Sequence, residues 1–260
     1  MDDDQLHFTG RAVLVTGGTR GLGAAIARAF LASGADVMVC GRSTPADLPS
    51  TGGREVAFRA ADLRDPEAAT DVVEATAERF GRLDVLVNNA GGSPDAEAAT
   101  VSPRFVEKVV ALNLLAPFYT AQAANLAMRE QPGGGSVINI GSVSAHAPQP
   151  GTAAYSAAKA GLLGLTRALA LEWAPRVRVN HITAGLVRTE NAAALYGEDG
   201  GDAVAGVVPM GRLAEPDDVA RACLWLACDL SRYVNGADLA VHGGGEIPAR
   251  YTVARHPGSP

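Results

Sequence analysis

The 260-residue sequence has few cysteines and no excess of basic residues. Its three cysteines, Cys40, Cys223 and Cys228, lack the spacing of a disulfide framework or of a metal site. We therefore expect them to be small buried side chains and expect no bound metal. The net charge of -6 provides no positive field for nucleic acid, so a nucleic-acid partner is not expected.

Long hydrophobic runs are also missing. Glycine or charged residues interrupt every apolar stretch before it reaches the roughly 20 residues that span a bilayer. The first five residues, Met-Asp-Asp-Asp-Gln, lack the basic start and apolar core of a signal peptide. We therefore expect a cytoplasmic protein with no membrane partner. The length suffices for one large domain with a substantial core, over residues 1–260.

Short β-branched runs alternate with alanine-rich stretches, a pattern typical of βαβ units and a parallel sheet. Most of the predicted strands are nearly continuous apolar runs, as expected for strands that are buried on both faces. They are Ala12–Thr16, Asp36–Cys40, Glu55–Arg59, Val85–Asn88, Ser136–Ile140, Arg178–Ile182 and Asp238–Val241. The predicted helices are Gly23–Ser33, Pro66–Phe80, Pro103–Arg129, Gly151–Trp173 and Pro216–Cys228. The predicted fold class is α/β, a doubly wound sheet of about seven parallel strands flanked by helices.

Three segments do not follow this alternation. Residues 41–54 contain two prolines and three glycines, which favours a loop or a single turn over a crossover helix. Residues 186–210 are irregular and are predicted to form a mobile lid or substrate loop. The tail at 247–260 contains three prolines. It is predicted to be flexible or to dock on a neighbouring subunit.

A glycine-rich turn, Thr16-Gly17-Gly18-Thr19-Arg20-Gly21-Leu22-Gly23, follows the first predicted strand and opens the first helix. In that context, glycines let the backbone approach a pyrophosphate, and the helix N-terminus supplies N–H groups and the positive end of its dipole. The turn therefore predicts a dinucleotide site. Its predicted contacts are Gly17, Thr19, Arg20, Gly21, Leu22 and Gly23.

Tyr155 and Lys159 lie four residues apart, so a helix places them on one face. A Lys ammonium beside a Tyr hydroxyl favours the phenolate and is expected to lower the Tyr pKa from about 10. Such a Tyr can protonate a carbonyl oxygen or deprotonate an alcohol. Ser142 ends a predicted strand, where open α/β sheets place their sites, and could polarise the same oxygen. Taken alone, the Tyr–Lys pair also fits an ordinary pair on a helix surface.

The T-G-x-x-x-G-x-G spacing, with Ser142 and the Tyr155/Lys159 pair, resembles the short-chain dehydrogenase/reductase family in its subtype of about 250 residues. The resemblance covers about residues 9–245. Further matching motifs are Asp62-Leu63, Asn88-Asn89-Ala90-Gly91, Asn113, Asn180, Gly211-Arg212, Glu215-Pro216, Asp218-Val219-Ala220 and Gly243-Gly244. The resemblance implies a Rossmann-type fold and hydride transfer between a nicotinamide cofactor and a small-molecule carbonyl or secondary alcohol. It also implies a homotetramer or dimer whose long helices pair across subunits.

The resemblance assigns roles to individual residues. Asn113, Ser142, Tyr155 and Lys159 would be catalytic; Asn113 would hold a water that links the Lys to solvent. Tyr155 and Lys159 would also contact the cofactor, Lys159 at the nicotinamide ribose. The remaining implied cofactor contacts are Asp62 and Leu63 at the adenine, Asn89, Ala90 and Gly91 on the adenosine side, and Gly185, Val187 and Thr189 at the carboxamide or phosphates.

The second predicted strand ends in Val39-Cys40-Gly41-Arg42, without the carboxylate that binds the ribose hydroxyls of NAD. Arg42 and Arg20 instead offer guanidinium groups that suit a 2′-phosphate. The alternative is that both arginines are solvated surface residues. NADP(H) is therefore the favoured cofactor, with NAD(H) as the second option.

Three residues leave alternatives open. Ala184 stands before Gly185, where the family usually has Pro, which leaves the rigidity of that loop in question. His242 replaces the usual Asp and is either a surface residue or one that tunes subunit contacts. His146 either touches substrate or only lines its loop.

The leading functional hypothesis is an NADP(H)-dependent carbonyl reductase or alcohol dehydrogenase. A 3-oxoacyl-[acyl-carrier-protein] reductase is the alternative, but it needs a basic docking surface and the chain is acidic overall. A non-catalytic NADP-binding sensor is the remaining rival. Because Asn113, Ser142, Tyr155 and Lys159 are all present, catalysis is favoured over that sensor.

Overall fold

The computed structural model describes residues 6–190 and 192–248. Residues 249–260, which form most of the predicted tail, lie outside this part of the chain. The predictions of a flexible or docking tail and of a single domain over 1–260 therefore stay predictions.

The strands are β1 Ala12–Thr16, β2 Asp36–Gly41, β3 Ser50–Thr51, β4 Arg54–Glu55, β5 Ala57–Ala60, β6 Val85–Asn88, β7 Gly135–Ile140, β8 Val177–Ala184 and β9 Asp238–Val241. Seven of them form the central parallel sheet, in the order β5-β2-β1-β6-β7-β8-β9. The chain winds outward from β1 in one direction and then, from β6, in the other, which confirms the predicted doubly wound Rossmann-type fold.

Helices cover both faces of the sheet. They are α1 Gly21–Ala32, α2 Pro66–Phe80, α3 Pro103–Val110, α4 Ala116–Met128, α5 Ala153–Trp173, α6 Ala192–Tyr196, α7 Asp202–Ala205 and α8 Pro216–Ala227. Helices α1 and α8 pack on one face, while α2, α4 and α5 pack on the other. Because both faces are covered, every residue of β1 is buried, as its continuous apolar sequence predicts.

The predicted strand Glu55–Arg59 is wrong at its start. Arg54 and Glu55 instead pair with Ser50 and Thr51 in a small antiparallel hairpin, and the sheet strand β5 begins at Ala57. Gly52 and Gly53 both have positive φ angles, which the tight two-residue turn requires. The Arg54 guanidinium donates to the carbonyls of Leu31, in the last turn of α1, and of Ala35 just after it, and so attaches the hairpin to the end of this helix.

The predicted helix Pro103–Arg129 is not a single α-helix. Residues Ala111–Leu115 form a π-helical segment between α3 and α4, and Asn113 lies at its centre. Such segments insert one extra residue into a turn and are frequent at functional sites. Propensity and hydrophobic periodicity do not distinguish a π turn from an α turn, so the sequence did not reveal it.

The irregular segment 186–210 contains the two short helices α6 and α7. All three cysteines are buried and unpaired, as predicted. Within the described residues, no helix is long and apolar enough to cross a bilayer, and no group of three acidic, His or Cys side chains is arranged to hold a metal.

Candidate active site

The glycine turn packs so tightly that two of its glycines have no room for a side chain. A Cβ atom on Gly18 would lie 2.5 Å from Cγ1 of Val39, and one on Gly23 would lie 2.3 Å from the Gly17 carbonyl oxygen. The N-terminus of α1 has no side-chain cap from Arg20 and no acidic residue in its first turn. Backbone N–H groups at a helix N-terminus suit the pyrophosphate of a dinucleotide, although one of them, that of Gly21, is bonded to the Glu190 carboxylate.

Thr16 and Asn89 tie the glycine turn to the end of β6. The Thr16 hydroxyl accepts hydrogen bonds from the backbone N–H groups of Asn89 and Ala90, at 2.9 and 3.0 Å. The Asn89 amide in turn donates to the carbonyls of Thr16 and Gly17, at 2.9 and 3.2 Å. The structural role of Thr16 was not predicted, because its partners lie 73 and 74 positions away.

A groove of about 730 Å³ runs from the glycine turn along the carboxyl ends of β1, β2 and β5. Thirteen of the seventeen predicted cofactor contacts line it: Gly17, Thr19, Arg20, Gly21, Leu22, Gly23, Arg42, Asp62, Leu63, Asn89, Ala90, Gly91 and Thr189. The other four, Tyr155, Lys159, Gly185 and Val187, are not part of its wall.

A third arginine lies in this groove beside the predicted Arg20 and Arg42. Arg64 pairs with Asp62 through both carboxylate oxygens, with Nε 2.9 Å from Oδ1. Its hydrogen bond and charge lower the pKa of Asp62 below its ordinary value, so the carboxylate stays ionised. Sequence reasoning missed Arg64, although its position two residues after Asp62 at the carboxyl end of β5 is a usable signal.

Glu190 reaches the N-terminus of α1 from a distant part of the chain. Its Oε1 accepts a hydrogen bond of 3.2 Å from the Gly21 backbone N–H. Glu190 and Thr189 both line the groove, so the segment that follows β8 closes one side of it.

Tyr155 lies beside Ser142 at the carboxyl end of β7. Burial raises the pKa of Tyr155, the Ser142 hydrogen bond opposes that rise, and the nearby Tyr196 adds to it; the net pKa is raised. The expectation that Lys159 lowers this pKa is therefore not met. The Lys159 Nζ atom lies 5.7 Å from the centroid of the Tyr155 ring, and burial outweighs any charge effect across that distance.

Lys159 is buried and donates a 2.8 Å hydrogen bond to the Ile140 carbonyl at the end of β7. Burial lowers its pKa to about 8, because an ammonium loses its hydration in the protein interior. The lysine is therefore mostly charged at neutral pH, and its pKa lies only about one unit above neutrality.

Lys159 makes the stability of the protein depend on pH. The unfolded chain holds its lysine protons up to about pH 10.5 and the folded chain only to about 8, so folding becomes more favourable as the pH rises between these values. We expect the melting temperature of the wild type, minus that of Lys159→Met, to increase from pH 8 to pH 10. The corresponding change in the free energy of unfolding is at most about 3 kcal/mol.

The matched control is Lys108→Met, because Lys108 is exposed and is the other lysine of the chain. Scanning calorimetry of the three proteins at pH 7, 8, 9 and 10 measures the effect. A pH-independent difference between wild type and Lys159→Met would contradict the assigned pKa.

Asn113 and Lys159 converge on one glycine. A Cβ atom on Gly91 would lie 2.8 Å from Asn113 Oδ1 and 3.2 Å from Lys159 Nζ. The Asn113 amide accepts from the Gly92 N–H at 2.8 Å and donates to the Gly92 carbonyl at 3.0 Å. The π-helical segment thus connects the loop after β6 with the buried lysine.

The segment after β8 is held by backbone contacts although it lacks the proline. Ala184 is the last residue of β8 and pairs with Val241, and the Gly185 N–H donates to the Val241 carbonyl at 3.0 Å. Val187 forms a β-bridge with Ala214. A Cβ atom on Gly185 would lie 2.7 Å from the Cα of His242, so this close approach requires glycine.

A buried polar network, which sequence reasoning also missed, lies beneath the site. The Asn88 amide donates to Asn139 Oδ1 at 3.0 Å, and the Asn139 amide donates to the Thr166 hydroxyl at 2.9 Å. Thr120 donates to Asn88 Oδ1 at 2.7 Å. These bonds join β6 and β7 to α4 and α5, and so fix the strand ends relative to the helix that carries Tyr155.

A family model described as enoyl-(acyl carrier protein) reductase matches residues 17–246. D-threitol dehydrogenase of Mycolicibacterium smegmatis is 37% identical over 248 residues, 93% of this chain and 95% of that protein. The chain belongs to the short-chain dehydrogenase/reductase family. The resemblance seen in the sequence is thereby confirmed.

Two further relatives agree with this membership of the short-chain dehydrogenase/reductase family. L-rhamnose 1-dehydrogenase (NAD(P)(+)) of Azotobacter vinelandii is 37% identical over 246 residues, 90% of this chain and 96% of that protein. A solved structure of a short-chain type dehydrogenase/reductase from Mycobacterium marinum has a TM-score of 0.86 at 30% identity, covering 94% of this chain and 99% of that one. The chain is accordingly an oxidoreductase of this family, acting on CH–OH groups with a nicotinamide cofactor.

Proposed function

We propose that this short-chain dehydrogenase/reductase interconverts a carbonyl and a secondary alcohol with NADP(H), using Tyr155 as the acid and base. The observation that carries the proposal is the meeting of Ser142, Tyr155 and Lys159 at the carboxyl end of β7, beside the groove of the glycine turn. When bound, the nicotinamide would supply or accept the hydride.

Each of these side chains has a separate task in the proposed reaction. The Ser142 hydroxyl donates a hydrogen bond to the substrate oxygen and polarises it. Tyr155 gives its proton to that oxygen in reduction and takes it back in oxidation. Lys159 would hold the nicotinamide ribose and place a positive charge near the phenol, and Asn113 would hold the water that links the lysine to solvent.

The cofactor preference rests on Arg20, Arg42 and Arg64, which line one end of the groove, where Asp62 is already paired with Arg64. Guanidinium groups suit a 2′-phosphate, while no free carboxylate ends β2. We expect a higher kcat/KM with NADPH than with NADH. We also expect Arg42→Ala to raise the KM for NADPH about tenfold or more, since a hydrogen bond to a charged group contributes about 1.5–3 kcal/mol.

The control for this prediction is Arg28→Ala, which removes an exposed arginine further along α1. Arg28→Ala should change neither the KM for NADPH nor the KM for NADH. Arg42→Ala should leave the KM for NADH unchanged. Equal efficiencies with the two cofactors, or a preference for NADH, would show that the cofactor assignment is wrong.

The experiment that tests the proposed function is a spectrophotometric assay of NADPH formation and consumption. The panel contains D-threitol, L-rhamnose, simple ketones, quinones and an acetoacetyl thioester. Turnover of any of them that depends on Tyr155 supports the proposal. NADPH binding without turnover across a widened panel would favour a non-catalytic sensor.

A 3-oxoacyl-[acyl-carrier-protein] reductase is the second candidate, because a protein of that name from Chlamydia pneumoniae is 35% identical to this chain over 246 residues. The charge of this chain argues against that candidate, which needs a basic surface to dock an acidic carrier protein. The segment around α6 and α7 is acidic, with Glu190, Glu198, Asp199 and Asp202. Faster turnover of a thioester on acyl carrier protein than of D-threitol or L-rhamnose would decide for this candidate.

We further infer a cytoplasmic homotetramer or dimer. Leu126 on α4 and Leu171 on α5 are 54% and 85% exposed, so each of these helices presents an apolar side chain that pairing across subunits would cover. The three unpaired buried cysteines support a reducing compartment. A monomer in light scattering at micromolar concentration would contradict the oligomer.

A further inference from the structure

Three side chains that the proposed reaction does not use converge on one carboxylate beside the site. Asp238, at the start of β9, accepts hydrogen bonds from His181 Nδ1 at 2.8 Å, from the Thr183 hydroxyl at 2.7 Å and from His146 Nε2 at 3.0 Å. We call these four residues the Asp238 cluster. His181 and Thr183 belong to β8, whereas His146 follows the short helical turn that Ser142 begins.

His181 supports the residue before Ser142. It is fully buried, and a Cβ atom on Gly141 would lie only 2.0 Å from its Cε1 and 2.1 Å from its Nε2. The imidazole therefore packs directly against the Gly141 backbone. The neighbouring Ile140 carbonyl is the one that accepts the hydrogen bond of Lys159.

The hydrogen bonds fix the orientation of the His181 ring. Burial by itself would raise the pKa of Asp238, but the Thr183 and His181 hydrogen bonds outweigh it and the net pKa is lowered, so the carboxylate is ionised and accepts from Nδ1. Burial lowers the pKa of His181, which keeps the ring neutral. Its Nε2 has no hydrogen-bond partner within the described part of the chain, and it faces Gly141.

His146 holds the other end of the same segment. Ser142 starts a turn over Val143–Ala145, with its hydroxyl accepting from the Ser144 N–H at 3.1 Å, and His146 ends that turn. Both ends of the segment 141–146 therefore rest on Asp238, one through His181 and the other directly. Thr183 adds a third bond to the same carboxylate.

We propose that Asp238 is a positioning residue that sets the place of the Ser142 hydroxyl, through His181 on one side and His146 on the other. This inference rests on the proposed function of Ser142. A displacement of about 1 Å in a reacting group can cost up to about 100-fold in rate. Loss of the Asp238 carboxylate should therefore lower kcat by between about 10-fold and 100-fold, while NADPH affinity stays within about twofold, because the groove of the glycine turn lies elsewhere.

The first test does not depend on turnover. Hydrogen–deuterium exchange of the peptide covering residues 141–147 should become faster in Asp238→Asn and in His146→Ala. Asp229→Asn is the matched control, because the Asp229 side chain is 84% exposed and pairs only with Arg11 within the described residues. Exchange at the wild-type rate in both cluster variants would overturn the proposal.

The second test is a double-mutant cycle measured with D-threitol, L-rhamnose or the acetoacetyl thioester, whichever turns over fastest. If Asp238 acts through Ser142, Asp238→Asn should cost far less in a Ser142→Ala background than in the wild type. Additive losses would overturn the proposal. Near-normal turnover of Ser142→Ala itself would instead contradict the proposed function. If Asp238→Asn does not fold, His146→Ala takes its place in the cycle, since His146 lies at the exposed end of the cluster.

Discussion

Replacing Tyr155 by Phe is expected to lower kcat at least about a hundredfold, because positioned acid–base catalysis contributes roughly 10²–10⁴. The substitution removes one oxygen and keeps the ring that lies near Lys159. We therefore expect the variant to fold and to bind NADPH as the wild type does. Steady-state assays in both directions, together with NADPH fluorescence titration, measure the two effects separately.

The matched control is Tyr233→Phe, since Tyr233 is fully exposed and does not line the groove of the glycine turn. It should keep wild-type turnover. Near-normal turnover of Tyr155→Phe would remove Tyr155 as the acid and base. Loss of NADPH binding in that variant would show that the hydroxyl serves the cofactor rather than the proton.

Replacing Ser142 by Ala is expected to lower kcat by about 10²–10³, the usual cost of losing one hydrogen-bond donor to a developing oxyanion. A second effect should accompany it. The Ser142 hydrogen bond lowers the pKa of Tyr155 against the effect of burial, so its loss should raise that pKa further. In alcohol oxidation, where Tyr155 must accept a proton, the rise of kcat with pH should therefore move to higher pH.

Ser50→Ala in the β3–β4 hairpin serves as the control, because Ser50 is exposed and distant in the fold. It should change neither kcat nor the pH profile. A Ser142→Ala variant that loses activity but keeps the wild-type pH profile would mean that Ser142 acts on the substrate alone. Unchanged activity would exclude Ser142 from the reaction.

The local sequence was sufficient to predict those helices and strands that a single strong pattern marks. β1 could be predicted because four apolar residues, a threonine and a glycine turn in succession allow few alternatives. Pro66, Pro103 and Pro216 do stand in the first turn of their helices. The β3–β4 hairpin could not be predicted with the same ease. Its position depends on Arg54 binding the end of α1, which lies 19 to 23 positions earlier in the chain.

In the candidate site, too, local patterns could be predicted from the sequence, whereas properties of the folded chain could not. The glycine turn and the Tyr155/Lys159 spacing are local patterns, and they were sufficient to identify the family. The raised pKa of Tyr155 depends on burial, which is a property of the folded chain. The Asp238 cluster joins residues 57 and 92 positions apart, so no local pattern announces it.

The π-helical segment at 111–115 has a consequence for insertions and deletions. Each residue of a regular helix adds a rotation of about 100°, and the two halves have different main partners: α3 packs on α5, whereas α4 packs mainly on α2. Deleting a single residue between Val110 and Ala116 would restore a regular helix but leave one of its halves facing the wrong neighbour. The number of residues between the start of α3 and the end of α4 is therefore fixed. We expect single-residue insertions and deletions in this segment to be rare among relatives.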